Sequence, residues 1–138
     1  IVPVPDALEL GREYCLEFAF TLHRGGWRDV KAWRLARSYA YPLIPVRVKE
    51  GGSGGHARTS FLSLPDHAVL TCLKRSEDGR HVVARFYEAS GQPSSATLSF
   101  FKEPRRVLLS NITEEEERPS RPVFKLRPFQ IVTVKLET

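Results

Sequence analysis

Methionine is missing from the 138 residues, and cysteine nearly so, with Cys15 and Cys72 the only thiols. A disulfide-dense scaffold is therefore excluded, and the low cysteine usage leans toward a cytoplasmic location. Neither thiol belongs to a C-x-x-C pair or stands near a histidine cluster, so the usual ligand spacing of a zinc site is missing. Long apolar runs are lacking too: the longest fall far short of the roughly 20 residues that cross a bilayer, which argues against a membrane partner. The chain starts Ile1-Val2-Pro3-Val4-Pro5, without the charged region and apolar stretch of a signal peptide, and reads as a fragment cut from a longer chain. No Gly-x-Ser-x-Gly elbow presents a nucleophilic serine, and no internal repeat recurs at a fixed period.

What is present is an ordinary globular composition, 41% hydrophobic and 27% charged. A chain of this size buries about two-thirds of the surface its unfolded form exposes, enough for a core without staples. The net charge of +5 raises the question of nucleic acid. The basic residues are scattered, among them Arg24, Arg28, Arg58, Arg75, Arg105 and Arg106, while Glu114 to Glu117 form an acidic run. A solvated surface explains this more simply than a phosphate track.

Period-two alternation dominates. Tyr14, Leu16, Phe18, Phe20 and Leu22 alternate with smaller or polar residues, which predicts a strand covering a core. Gly25-Gly26 ends it, and Asp29 is placed to cap a short helix that Pro42 stops. Leu43 to Val48 suits an edge strand because Pro45 donates no ladder hydrogen bond. Gly51 to Gly55 predicts a mobile loop. Further strands are predicted over 61–64, 68–74, 81–88, 96–101, 106–110, 123–126 and 131–136, with Glu77-Asp78-Gly79-Arg80 as a hairpin connection. The strand over 81–88 is apolar on both faces and belongs centrally, whereas 96–101 and 131–136 read as half-buried. Cys15 and Cys72, at alternating strand positions, read as small buried hydrophobes.

These elements predict an all-β protein, an antiparallel β-sandwich with one short helix in the N-terminal third. Residues 1–50 form a strand-helix-strand segment continuing from a preceding β domain, 51–58 a flexible Gly-rich loop, and 59–138 the C-terminal sandwich.

The search for chemistry returns little. His23, His56, His67 and His81 share no helical or hairpin spacing, so only tertiary structure could assemble a metal site from them. Most carboxylates fall in turns or on polar strand faces. Glu88 is the exception: it ends the most apolar strand, where burial would raise its pKa, unless Arg85 or backbone amides hold it ionised. Trp27 stands in a loop-like stretch after His23, where an aromatic could stack on a sugar ring. Asn111-Ile112-Thr113 fits a glycosylation acceptor.

Read in order, several segments resemble the C-terminal region of the glycoside hydrolase family 38 α-mannosidases of bacterial and archaeal type. Glu17 to His23 with Trp27 is similar to the strand ending in a Pro-His-x-Gly-x-Trp-like turn, and Pro42-Leu43 to the following Asn-x-Pro-Leu. Ser60 to Leu64, then Leu73-Lys74 and Glu77-Asp78-Gly79, resemble the entry to the last sandwich. Arg85-Phe86-Tyr87-Glu88-Ala89-Ser90-Gly91 is similar to Arg-hydrophobic-Tyr-Glu-x-x-Gly, Asn111 to Glu114 resembles Asn-Leu-x-Glu, and Leu126 to Val134 resembles the terminal Leu-x-Pro-Phe-Glu-Ile-x-Thr. The chain departs from the pattern at Arg24, at Thr21-Leu22 before His23, and at Gln130 in place of Glu.

The resemblance implies a noncatalytic C-terminal β domain of an α-mannosidase, bracing the upstream catalytic domain of the same polypeptide. Nucleophile, general acid and zinc ligands would lie upstream, so no catalytic, metal or cofactor residue is expected here and zinc is expected in the parent enzyme. His23 and Trp27 are the candidates for sugar contact, and Arg85, Tyr87 and Glu88 for a structural polar network. The competing class is an independent carbohydrate-binding β-sandwich module; a basic nucleic-acid-binding domain ranks behind both.

Overall fold

The structure, a computed structural model, describes residues 11, 13, 15, 17–46 and 59–137. The chain divides into two compact units, Ile1–Pro42 and Leu43–Thr138.

In the first unit the described residues form one regular element, helix α1 (Ala32–Ala40). Asp29 does not cap it. Its carboxylate accepts from the Gly26 amide at 2.7 Å, closing a tight turn, and the helix starts instead after Lys31, which carries a left-handed φ of 50° and no side-chain cap. A Cβ on Gly25 would lie 2.6 Å from Asp29 Oδ2, and Gly25 itself has φ +81°, so this turn requires glycine. Trp27 and Trp33 meet edge to face at 5.7 Å. The helix ends with the Tyr41 amide bonded to the Arg37 carbonyl, just before Pro42.

The strand expected over 14–22 is not formed by its described part: residues 17–22 are irregular, with Phe18, Phe20 and Leu22 at 83, 86 and 92% exposure. Alternation supplies an apolar face but not a partner sheet, and a lone strand leaves its backbone groups unpaired. Tyr14 and Leu16 lie outside the described residues, as do 47–48 of the expected edge strand, the Gly-rich 51–58 and His56. Residues 43–46 are exposed and irregular rather than strand, since Pro42 and Pro45 remove two of the amides a ladder needs. Cys15 is exposed accordingly.

Among the described residues the second unit holds nine strands in antiparallel pairs. They are β1 (Leu62–Ser63), β2 (Ala68–Arg75), β3 (Val82–Glu88), β4 (Ser94–Thr97), β5 (Ser99–Phe100), β6 (Arg106–Ser110), β7 (Arg118–Ser120), β8 (Val123–Leu126) and β9 (Ile131–Glu137). One layer is a five-stranded sheet in the order β2-β3-β9-β6-β7. The other is made of the pairs β1-β5 and β4-β8. The 96–101 strand is thus two short strands, broken at Leu98, whose amide bonds to the Pro122 carbonyl. β7 carries no alternation signal, and its three residues contain Pro119, admissible because β7 is an edge.

Register explains the core. Val82, Ala84 and Phe86 of β3 face Leu136, Val134 and Val132 of β9, so one face of the large sheet is continuously apolar. That face packs on Ala96, Leu98, Phe124 and Leu126 of the second layer. Phe86 and Phe124 touch edge to face across the layers at 5.8 Å, and Phe86 is fully buried. A bulge shifts the register of β2 between Leu70 and Cys72. Before it Ala68 and Leu70 point inward; after it Leu73 does, and Cys72 is turned to the outer face, half-buried rather than in the core.

The opposite face is covered as well. Val83, Leu108, Thr133 and Lys135 are all buried, so β9 is not the half-buried strand its alternation suggested. The cover is the loop between β6 and β7, where the Asn111 carboxamide oxygen accepts from the Glu115 amide at 2.9 Å. Truncating Phe86 to Ala should cost about 3–5 kcal/mol, the range for a buried phenylalanine that leaves a cavity, read as a lower midpoint in urea denaturation with an unchanged slope.

Candidate functional site

Two polar networks are built on strand β3, one on each face of the sheet. Arg85 and Tyr87 share the outer face and Glu88 the inner, because side chains alternate along the strand. The three residues expected to form one network are therefore divided.

On the outer face, Arg85 donates to Thr133 Oγ1 at 3.0 Å and to the Ile112 carbonyl at 2.8 Å, and lies 3.6 Å from Glu114. Lys74 approaches the same carboxylate at 3.1 Å and also pairs with Glu77. Lys135, only 3% exposed, donates to Glu117 at 2.6 Å. The acidic run is thus not merely a solvated face: Glu114 is buried, adopts a left-handed φ of 66° and also accepts from the Glu77 amide at 3.1 Å. Burial pushes the Glu114 carboxyl up, but the Glu77 amide, Lys74 and Arg85 together hold it below the usual carboxylate range. The Lys135 hydrogen bond likewise lowers Glu117 against its desolvation.

On the inner face, at the end of β3, Glu88 is fully buried. One oxygen accepts from the Ser90 amide at 2.7 Å and from the Ser90 hydroxyl. The other accepts from the Gly91 amide at 2.7 Å and the Phe129 amide at 3.2 Å. A raised pKa was the expectation from burial, and burial does push in that direction. The Ser90 hydroxyl and the amides of Phe129, Ser90 and Gly91 outweigh it, and the carboxyl falls below its ordinary value. Glu88 pins two loops, one of which carries Phe129 at a left-handed φ of 58°, a conformation costing roughly 1–3 kcal/mol in a residue without glycine's freedom. A carboxylate so held has neither a proton to give nor a free lone pair aimed at solvent, so it serves architecture and not acid-base chemistry.

Asp78, His81 and Glu117 bring three ligand atoms within 4.8 Å of one another. Asp78 is lowered to about 2 by the Ser76 hydroxyl and the Arg80 amide. The group does not fit a resident zinc, because the Lys135 ammonium already sits on Glu117 and supplies the positive charge there. His67, the other described histidine of this unit, joins no such group. Gly79, with φ +72°, closes the hairpin beneath, its amide on the Ser76 carbonyl, as the Glu77 to Arg80 signal predicted.

In the first unit, His23 is exposed and Trp27 is 41% exposed. The Trp27 ring meets the edge of Trp33 and carries the Arg28 guanidinium at 4.4 Å from its centroid. Part of the surface a sugar would stack on is already in use.

Residues 67–134 match the family model described as the glycosyl hydrolases family 38 C-terminal beta sandwich domain. This segment of the chain is similar to that domain. Comparison with curated proteins and with solved structures gave no match. The matched segment takes in the Glu88 network, the Lys74, Arg85 and Glu114 group and three of the motifs, Arg85 to Gly91, Asn111 to Glu114 and Leu126 to Val134, while Lys135 lies just beyond it. In the structure those motifs are the two ends of the same devices: the Arg85 motif supplies both Arg85 and Glu88, the second motif supplies Glu114 and the third Phe129. His23, Trp27 and the 60–64 segment stand outside the match.

Sequence reasoning missed the pairing of Glu114 and Glu117 with buried cations. The signal available was a lysine or arginine at an outward position of each of three largely apolar strands, Lys74, Arg85 and Lys135, which calls for counter-charges from a covering loop.

Because the folded Glu88 titrates below its unfolded value, its stabilisation is complete above that value and disappears as pH falls through the folded pKa. Glu88→Gln should therefore cost about 1–3 kcal/mol at pH 7 by leaving buried amides poorly paired, and the deficit should narrow when urea midpoints are compared below pH 4 or so. On the outer face, Glu114→Ala should raise amide hydrogen exchange across 111–117 while leaving β3 and β9 protected, measured by mass spectrometry.

Proposed function

We propose that this chain is a noncatalytic C-terminal β domain of an α-mannosidase, bracing the catalytic domain carried by the same polypeptide. The observation that carries the reading is the match of residues 67–134, which takes in most of the five-stranded sheet and both Glu88 and Glu114. The chemistry of the described residues supports it, since the two buried carboxylates, Glu88 and Glu114, are each committed to fixed donors. Zinc, in this reading, belongs to the catalytic region and not to the Asp78, His81 and Glu117 group.

A bracing domain needs an apolar face to bury. The sandwich has one in a hollow of about 460 Å³ at the end of the layers, walled by Leu73, Val82, Phe100 and Leu136 and flanked by Phe61 and Phe101. Phe61 and Phe101 stand largely exposed, stacked edge to face at 6.3 Å. An apolar rim of this kind suits interdomain packing rather than solvent. No helix among the described residues is long and apolar enough to cross a membrane, and the scarcity of cysteine supports a cytoplasmic setting.

The isolated chain should release no product from an aryl α-mannoside, while the full-length parent should hydrolyse it and lose that activity on zinc chelation. Hydrolysis by the isolated chain would defeat the reading. Saturable binding of mannose oligomers to the chain alone would favour a carbohydrate-binding module instead.

A further inference from the structure

The scattered arginines of the sequence are partly gathered by the fold. The loop entering β6 and the turn between β7 and β8 bring Arg105, Arg106 and Arg121 to the wall of one cleft of about 340 Å³. Arg106 pairs loosely with Glu137 at 3.6 Å, Arg106 well exposed and Glu137 partly so. Arg105 and Arg121 engage described residues only through their main chains, Arg105 by its amide to the Glu137 carbonyl and Arg121 by its carbonyl to the Ser120 hydroxyl. Two arginines without a side-chain partner among the described residues and a third weakly held one thus line a single concavity.

We propose that this cleft binds a hexose phosphate. Guanidinium groups stay charged at any physiological pH and match phosphate oxygens with paired N–H donors. A phosphomonoester offers three terminal oxygens to three arginines, where a carboxylate offers two. The rest of the lining suits the sugar: Glu103 and the Ser120 hydroxyl oxygen accept from hydroxyls, and Pro104, Pro119 and Pro122 give rigid apolar walls for the ring's C–H face. The volume is at the small end for ligand sites, which fits a monosaccharide. Nucleic acid is disfavoured because no aromatic lines the cleft to stack a base, and Glu103 and Glu137 interrupt the positive surface. The proposal stands on this cleft alone and is independent of the bracing role.

The test is calorimetric titration of the full chain with glucose 6-phosphate, inorganic phosphate, glucose and a short oligothymidylate. Glucose 6-phosphate should bind about tenfold or more tightly than inorganic phosphate, with glucose giving no heat. The double variant Arg105→Gln, Arg121→Gln should lose about tenfold or more in that affinity with an unchanged melting temperature, since neither side chain packs in the core. Absence of binding, equal affinity for inorganic phosphate, equal binding by the double variant, or tighter binding of the oligothymidylate would each overturn it. Should the variant melt early, Arg121→Lys replaces it: a retained charge without the planar fork should still weaken glucose 6-phosphate binding, and full retention would overturn the proposal.

Discussion

The five-stranded sheet has to bury both faces of its inner strands, and the two faces are buried by different physics. Toward the second layer, β3 and β9 present apolar side chains except for Glu88 at the end of β3, so burial there is driven by removal of apolar surface from water and anchored by Phe86 against Phe124. Toward the outside the same strands present Arg85, Thr133 and Lys135. Covering those with apolar groups would strand charges in a low dielectric, so the cover has to bring acids with it.

That requirement accounts for the loop between β6 and β7. Its acidic residues divide the work, Glu114 lying between Lys74 and Arg85 and Glu117 reaching Lys135. Glu114 reaches inward only because the backbone there takes a left-handed turn, held by the Asn111 carboxamide bonding to the amide of the next residue along. Glu88 solves the complementary problem at the end of the core, where two loops converge and their amides would otherwise be buried without acceptors. A carboxylate answers because it accepts several hydrogen bonds at once. In both networks ionisable groups are used as fixed connectors between strands and loops.

The strands of the sandwich were legible because each buries at least one face, and burial imposes a period of two on the side chains. Ranges 106–110 and 123–126 were recovered to the residue, and the hairpin at Gly79 followed from its need for positive φ. β7 was illegible because three edge residues with a proline carry neither period nor propensity. The N-terminal alternation over 14–22 misled for the opposite reason. An apolar face shows what a segment would bury but not against what, and residues 17–22 remain exposed.

The sequence by itself determined the all-β class, most strand positions and the motif order that leads to the family 38 sandwich, since all three depend on local spacing and residue type. Only the tertiary structure decided which charges meet. Lys135 and Glu117 are eighteen positions apart, Glu88 and Phe129 forty-one, and no local pattern encodes such a pairing. It arises when sheet order places β9 between β3 and β6, because strand neighbours in space set the dielectric and the partner of every outward side chain.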